Sequence, residues 1–165
     1  MSTPDRASLL RLRQDVERDS GAAEALLSAL EARAGDALPA DDPVFLGYAA
    51  VTLHQLYTAL ETAFERICLT LEGSLPAGAD SHQALLRDMT RELDTMRPRV
   101  LRDETASALR PLLRFRHFVR HAYAIDWDAE RLQEVYAQAR RAFPLVGADM
   151  ADFLAFLDEL IAELA

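Results

Sequence analysis

Residues 42–73 read DPVFLGYAAVTLHQLYTALETAFERICLTLEG and carry the clearest structural signal in the chain. Asp42 can cap a helix, Pro43 fits the first helical position, and Gly73 is a typical helix end. Between them, apolar residues recur every three or four positions on one face: Phe45, Tyr48, Ala49, Leu53, Leu56, Leu60, Phe64, Ile67 and Leu71. A helix of roughly 30 residues is ~45 Å long. This length suits the central helix of a bundle.

Similar start signals and apolar stripes occur on both sides of this stretch, whereas strand signals are nearly absent. Pro111 should kink or restart one of these helices, and Phe143-Pro144 should end another. The predicted additional helices cover residues 4–33, with Thr3 as the cap and Pro4 at the first helical position, and residues 81–94, 104–124, 126 or 128 to 144, and 149–165. The sequence therefore predicts an all-α, up-and-down bundle of about six helices, formed by one domain over residues 1–165.

Several classes of protein are disfavoured by composition. No apolar run approaches the ~20 residues that a membrane span needs, and the N-terminus does not resemble a signal peptide. Cys68 is the only cysteine, so no internal disulfide can form. We therefore expect a cytoplasmic protein that does not contact a membrane, in which Cys68 packs as a small hydrophobic residue.

The charges are distributed unevenly along the chain. The net charge is −9, and every basic side chain apart from histidine is arginine. The segment from Arg97 to Arg120 carries seven arginines against Asp103 and Glu104, which gives it a local charge of +5 and leaves −14 for the rest. Such a basic segment can bind a polyanion locally, although it is equally compatible with a solvated helix face beside acidic neighbours.

Most familiar catalytic and ligand-binding patterns are absent from the sequence. There is no glycine-rich phosphate loop, no GxSxG elbow and no pair of catalytic carboxylates. The four histidines, His54, His82, His117 and His121, have no cysteine or acidic cluster beside them at zinc-ligand spacing. We therefore expect neither a metal site nor a cofactor. His54 is expected to be a packed or surface side chain, and His82 lies at a predicted helix start.

The densest group of reactive side chains is residues 114–123, which read RFRHFVRHAY. Histidine can transfer protons near neutral pH, and arginine binds phosphate oxygens in a bidentate manner. These two side chains suffice for metal-free cleavage of RNA, in which the 2′-hydroxyl is the nucleophile. On a straight helix, however, Arg116 and His121 point about 140° apart. A kink, the helix end or a second copy of the chain must then bring them to one phosphate.

The simpler interpretation is an ordinary amphipathic helix, with Phe115, Phe118, Val119 and Ala122 inside and the charges outside. Resemblance to a known family favours the functional interpretation. Arg116-x4-His121-x-Tyr123 matches the RX4HXY motif of HEPN-fold ribonuclease toxins of the HepT type. The surrounding sequence resembles this family over roughly residues 45–160, including 53–67, 81–86 and Arg97-Pro98-Arg99.

The resemblance implies a homodimer of HEPN-like bundles in which both motifs line one composite RNA-binding cleft. It also implies a toxin of a type VII-like toxin–antitoxin system that cleaves RNA, such as tRNA or mRNA, without a metal. The partner implied is a nucleotidyltransferase antitoxin, which inactivates the toxin by transferring AMP to Tyr123. An AMP group would add bulk and negative charge at a phosphate-binding site and so oppose RNA entry.

From these observations we expect Arg116 and His121 to be catalytic and Tyr123 to be the regulatory AMP acceptor. Arg116 would stabilise the scissile phosphate, and His121 would act as general base or acid. Additional RNA contacts are expected from Arg114, His117 and Arg120. Two alternatives remain open: a non-catalytic HEPN module that binds a nucleotidyltransferase or its nucleotide substrate, and a purely structural helical dimer. Growth arrest relieved by a neighbouring nucleotidyltransferase gene would favour the toxin.

Overall fold

The computed structural model describes residues 4–121 and 126–164, and within them it confirms the predicted all-α class. The π-helical turn Cys68–Glu72 continues the second helix directly. No strand occurs in the described part of the chain, where Leu93 and Arg97 form one isolated bridge. Residues 4–121 and 126–164 form five α-helices, α1 (Arg6–Ala34), α2 (Pro43–Ile67), α3 (Ser81–Asp88), α4 (Asp103–His121) and α5 (Ala129–Glu163).

Local capping explains where the first two helices begin and end. The Asp5 carboxylate accepts the N–H of Ser8 at the start of α1, and the Asp42 carboxylate accepts that of Phe45 at the start of α2. The π-helical turn ends at Gly73, which adopts the left-handed conformation with φ of 76°. The sequence thus predicts these boundaries to within a residue or two, although it does not indicate the π-helical turn.

The predicted third helix, residues 81–94, is too long, because α3 ends at Asp88. The helix ends there because residues further along the chain donate hydrogen bonds to the backbone carbonyl oxygens at its C-terminus. The Arg97 side chain donates to the carbonyl oxygen of Asp88 at 3.1 Å, and the N–H of Val100 donates to that of Met89 at 2.8 Å. These contacts hold the chain in a series of turns before α4.

The predicted break between the two C-terminal helices is wrong, because both belong to one continuous helix, α5, with Pro144 inside it. Phe143 and Val146 lie on either side of Pro144, and both are buried in the same core. Packing on both sides therefore offsets the ~3 kcal/mol that an internal proline typically costs a helix. α4 likewise continues through Pro111 without a restart.

The core is organised around α2, which packs against α1, α4 and α5. Its inward face is almost completely enclosed and includes Leu53, Leu56, Tyr57 and Leu60. Cys68 is buried as predicted. Among the described residues, no helix combines the length and the apolarity that crossing a membrane requires. The arrangement places one side of α4 against α2 and leaves its C-terminal end at the surface.

Candidate functional site

Arg116 lies on the buried stripe of α4, not on its solvent face. The stripe contains Leu109, Leu112 and Leu113 and reaches Arg116 one turn later. Only 8% of the Arg116 side chain is exposed. Phe118, which an ordinary amphipathic pattern would place inside, is 45% exposed. The simple amphipathic interpretation of this helix is therefore wrong at both positions.

The partner of Arg116 is Glu61, a buried carboxylate of α2. The Nη2 atom of Arg116 lies 2.5 Å from Oε2 of Glu61, whose side chain is 4% exposed. The other oxygen, Oε1, is 2.7 Å from Nδ1 of His82. One carboxylate thus joins side chains from α2, α3 and α4. Burial raises the pKa of Glu61, and the charges of Arg116 and His82 oppose this shift.

The hydrogen bond to Glu61 also fixes the tautomer of His82. Its pairing with Arg116 favours the ionised form of Glu61, and an ionised carboxylate only accepts hydrogen bonds, so Nδ1 of His82 is the donor in this contact. The Nε2 atom is then the ring nitrogen that Glu61 does not engage. The His82 side chain is 35% exposed, so solvent reaches part of the ring.

Two buried nitrogens near this site have no hydrogen-bond partner among the described residues, Nε of Arg116 and Nδ1 of His54. An unsatisfied buried polar atom typically costs ~1–3 kcal/mol, and such atoms in native proteins often mark functional positions. The pKa of His54 is lowered by burial and by the positive charges of Arg116 and Arg120. His54 is therefore favoured in its neutral form beside two arginines.

A cleft of about 750 Å³ lies between α3 and α4 and includes Arg116 in its wall. Four arginines and two histidines line it, against the two carboxylates of Asp80 and Asp103. The cleft is consequently a local region of positive charge on an acidic chain. The basic lining residues are His82, Arg87, Arg110, Arg114, Arg116 and His117.

The structure divides the basic segment of residues 97–120 into two groups. Arg97, Arg102 and Arg116 pair with carboxylates, and Arg97 is buried completely against Glu72. The other four arginines of the segment have no carboxylate partner within residues 4–121 and 126–164: Arg99, Arg110, Arg114 and Arg120. The positive charge available to a ligand thus comes chiefly from the exposed face of α4.

His121 lies at the exposed C-terminal end of α4, and it is not among the residues that line the cleft with Arg116. Its Nδ1 is 2.8 Å from the carbonyl oxygen of His117, and the two rings are 4.4 Å apart. Because a carbonyl oxygen can only accept, Nδ1 carries the proton and Nε2 is the available nitrogen. Among the described residues, the cleft that Arg116 lines therefore includes His117 but not His121. Tyr123 lies outside the described residues.

A second, smaller cavity of about 400 Å³ lies on the other side of Arg114, between α4 and the start of α5. Phe118 and Trp127 contribute to its wall, and Arg131 lies over the Phe118 ring at 5.9 Å. Within the described ranges, no three histidine, cysteine, aspartate or glutamate side chains come close enough together to hold a metal ion.

Glu61 is the site residue that the sequence analysis missed. It sits four residues after Tyr57 and three before Phe64, both buried, in the most apolar helix of the chain. An acidic residue at such a position is rarely buried unless it is paired. This signal could have identified Glu61 as the partner of a buried cation, although not which cation.

Comparison with known proteins gives one match. A family model described as HepT-like protein matches residues 49–157, about two thirds of the chain, and this region contains Glu61, His82, Arg116 and His121. No curated protein and no solved structure matches the chain.

Proposed function

This chain belongs to the HepT-like protein family, and we propose that it is a metal-independent RNA endonuclease, the toxin of a type VII-like toxin–antitoxin system. The observation that carries the proposal is the basic cleft between α3 and α4, with the nearly buried Arg116 in its wall. An arginine that the fold holds beside the exposed arginines of α4 is suited to bind an RNA phosphate. The expected substrate is a tRNA or an mRNA.

In the proposed reaction, Arg116 stabilises charge on the scissile phosphate and His121 transfers a proton. The Glu61 carboxylate holds one end of the guanidinium, so the charge is already in position before RNA binds. The Nε2 atom of His121 is free to act as base or acid, since Nδ1 is committed to the His117 carbonyl. Arg114, His117 and Arg120 contribute further contacts to the RNA backbone.

The separation of Arg116 from His121 within one chain favours a composite site. The exposed end of α4 carries His121, Arg120 and His117 together. In a two-fold dimer, the same surface of each copy meets the other, so His121 of one copy could approach the Arg116 cleft of its partner. We therefore include homodimerisation in the proposal.

Regulation would act on Tyr123, two residues beyond His121. A nucleotidyltransferase antitoxin would transfer AMP from ATP to the phenol oxygen, releasing pyrophosphate. The phosphodiester formed is negatively charged and bulky, so it would repel RNA from the arginines of α4. Loss of toxicity would then require no change in the fold.

The second candidate is a non-catalytic module that binds a partner nucleotidyltransferase or its nucleotide substrate. Two observations favour it: Arg116 is already paired with Glu61, and His121 does not line the same cleft. A volume of about 750 Å³ is also within the range of small-molecule sites. This module would bind nucleotide or protein without turning over RNA.

The test is incubation of purified protein with total RNA in an excess of chelator, after mass spectrometry has shown Tyr123 to be unmodified. Wild type and Arg99→Ala, an exposed arginine outside the cleft, should both cleave RNA. His121→Ala should remain folded and lose cleavage. Cleavage retained in His121→Ala would remove this histidine from the mechanism, and absence of cleavage by wild type would favour the binding module.

A further inference from the structure

His82 is placed for more than a structural role as a hydrogen-bond partner of Glu61. Glu61 already has a full positive charge beside it, the guanidinium of Arg116 at 2.5 Å. His82 contacts the second carboxylate oxygen at 2.7 Å. Its side chain remains 35% exposed and lines the basic cleft. The carboxylate thus orients both an arginine and a histidine toward the same cleft.

We propose that His82 is a second proton-transfer residue of the site, acting on the RNA whose phosphate Arg116 binds. The inference rests on the proposed ribonuclease function and extends it to a residue outside the motif of residues 116–123. Glu61 accepts a hydrogen bond from Nδ1 and so leaves Nε2 of His82 as the nitrogen that exchanges a proton with the substrate. His82 and Arg116 act on one phosphate because one carboxylate positions both.

The chemistry of RNA cleavage explains why a second such residue is useful. The 2′-hydroxyl loses its proton to a base, and its oxygen forms a new bond to phosphorus. The bond between phosphorus and the 5′-oxygen then breaks, and this oxygen takes a proton from an acid. The products are a 2′,3′-cyclic phosphate and a 5′-hydroxyl, and no co-reactant is consumed. His82 carries out one of these proton transfers and His121 carries out the other.

The charged groups around His82 come from all three helices at the cleft. Glu61 faces it from α2, Arg116 and His117 line the same cleft from α4, and Asp80 and Arg87 lie beside it at α3. His82 contacts the Glu61 carboxylate, and the basic side chains that line the cleft outnumber its two carboxylates, Asp80 and Asp103. A phosphate that binds to these basic side chains would therefore share one cleft with the exposed part of the His82 ring.

The decisive substitution is His82→Asn. The asparagine amide nitrogen lies close to the position of Nδ1, so it can still donate to Glu61, but the side chain cannot transfer a proton. His82→Ala removes both properties, and the thermal midpoint of each variant reports whether the fold is retained. For wild type and both variants, kcat/KM is measured from pH 5 to 9 on a short RNA with one cleavage site.

We expect wild type to give a bell-shaped pH profile and His82→Asn to lose 100-fold or more in kcat/KM, the usual contribution of general acid–base catalysis being ~10²–10⁴-fold. The pH profile of His82→Asn should lack either the acidic or the alkaline limb that wild type shows. Loss of the acidic limb would identify His82 as the base, and loss of the alkaline limb would identify it as the acid.

If kcat/KM of His82→Asn stays within about threefold of wild type and its pH profile keeps both limbs, the proposal is overturned. His82 is then a hydrogen-bond partner of Glu61 alone. That outcome would leave the ribonuclease assignment intact. Absence of RNA cleavage by wild type is a distinct result, and it would reject the ribonuclease assignment and this inference together.

Discussion

Removal of the Arg116 side chain should destabilise the protein substantially at neutral pH. The variant Arg116→Ala leaves Glu61, which is 4% exposed, with His82 as its one remaining partner among the described residues. Removing one member of a buried ion pair typically costs ~3–5 kcal/mol, because the remaining charge is still desolvated. Burial already raises the pKa of Glu61, and loss of Arg116 removes the largest influence that opposes this shift. The carboxyl should therefore take up a proton in the folded variant.

The free energy needed to protonate Glu61 sets the expected loss of folding stability. At ~1.36 kcal/mol per pH unit, protonating a carboxyl with an ordinary pKa of 4.5 costs about 3.4 kcal/mol at pH 7 and about 0.7 kcal/mol at pH 5. A carboxyl whose pKa is raised on folding binds more protons when folded, so stability falls as pH rises. We therefore expect Arg116→Ala to lose about 3 kcal/mol at pH 7 and much less at pH 5.

Urea unfolding at fixed protein concentration, at both pH values, measures these losses. A loss of about 3 kcal/mol corresponds to a fall of about 6–12 °C in Tm for a chain of this size. The matched control is Arg91→Ala, since Arg91 forms a surface pair with Asp88 at 3.6 Å and is 65% exposed. That variant should lose less than ~1 kcal/mol at either pH. A loss for Arg116→Ala that equals the control, or that does not change with pH, would refute the reasoning.

Two further predictions concern the cleft and the buried thiol. Replacing Arg110 and Arg114 by glutamate, in a His121→Ala background that prevents cleavage, should weaken RNA binding at least tenfold by fluorescence anisotropy. It should also reduce the salt slope by ~0.7 for each RNA phosphate that the variant no longer neutralises. Arg99→Glu is the control, and equal affinities for both variants would exclude the cleft as the RNA site. Burial raises the pKa of Cys68 to about 12, so a disulfide reagent at pH 8 should label native protein at least ~100-fold more slowly than unfolded protein. Rapid native labelling would contradict this burial.

The helices that the sequence predicts well are those whose ends carry a local signal. Asp42 caps its helix as predicted, whereas Asp5 caps the first helix in place of the predicted Thr3, two residues earlier; in both cases a few adjacent residues contain the information. The end of α3 depends instead on Arg97, a residue nine positions beyond Asp88 in the chain. No local pattern reveals such a contact. At Pro144 the sequence predicted a helix end, but the helix continues, because buried neighbours on both sides outweigh the local preference of proline.

The sequence pointed to several residues of the candidate site but not to their arrangement. The residue types at 114–123 indicate phosphate binding and proton transfer, and the period of 3.6 residues already separates Arg116 from His121. The sequence could not indicate that Arg116 is buried, because an arginine on an apolar stripe is usually a solvated side chain. Its burial depends on Glu61, 55 residues earlier in the chain, and on His82 from a third helix. Contacts between distant segments of this kind are set by tertiary packing.

The burial of Arg116 and the exposure of His121 have different consequences for control of the proposed enzyme. Arg116 is held in the folded chain by Glu61, so the phosphate-binding charge is in place before RNA binds and needs little reordering. His121 lies at the exposed end of α4, and its approach to a phosphate would depend on a second copy of the chain. Tyr123 follows His121 by two residues in the sequence, so we expect an AMP group on it to act on the His121 half of the proposed site. It could therefore abolish cleavage while the Glu61–Arg116 pair, and with it the stability of the fold, is left unchanged.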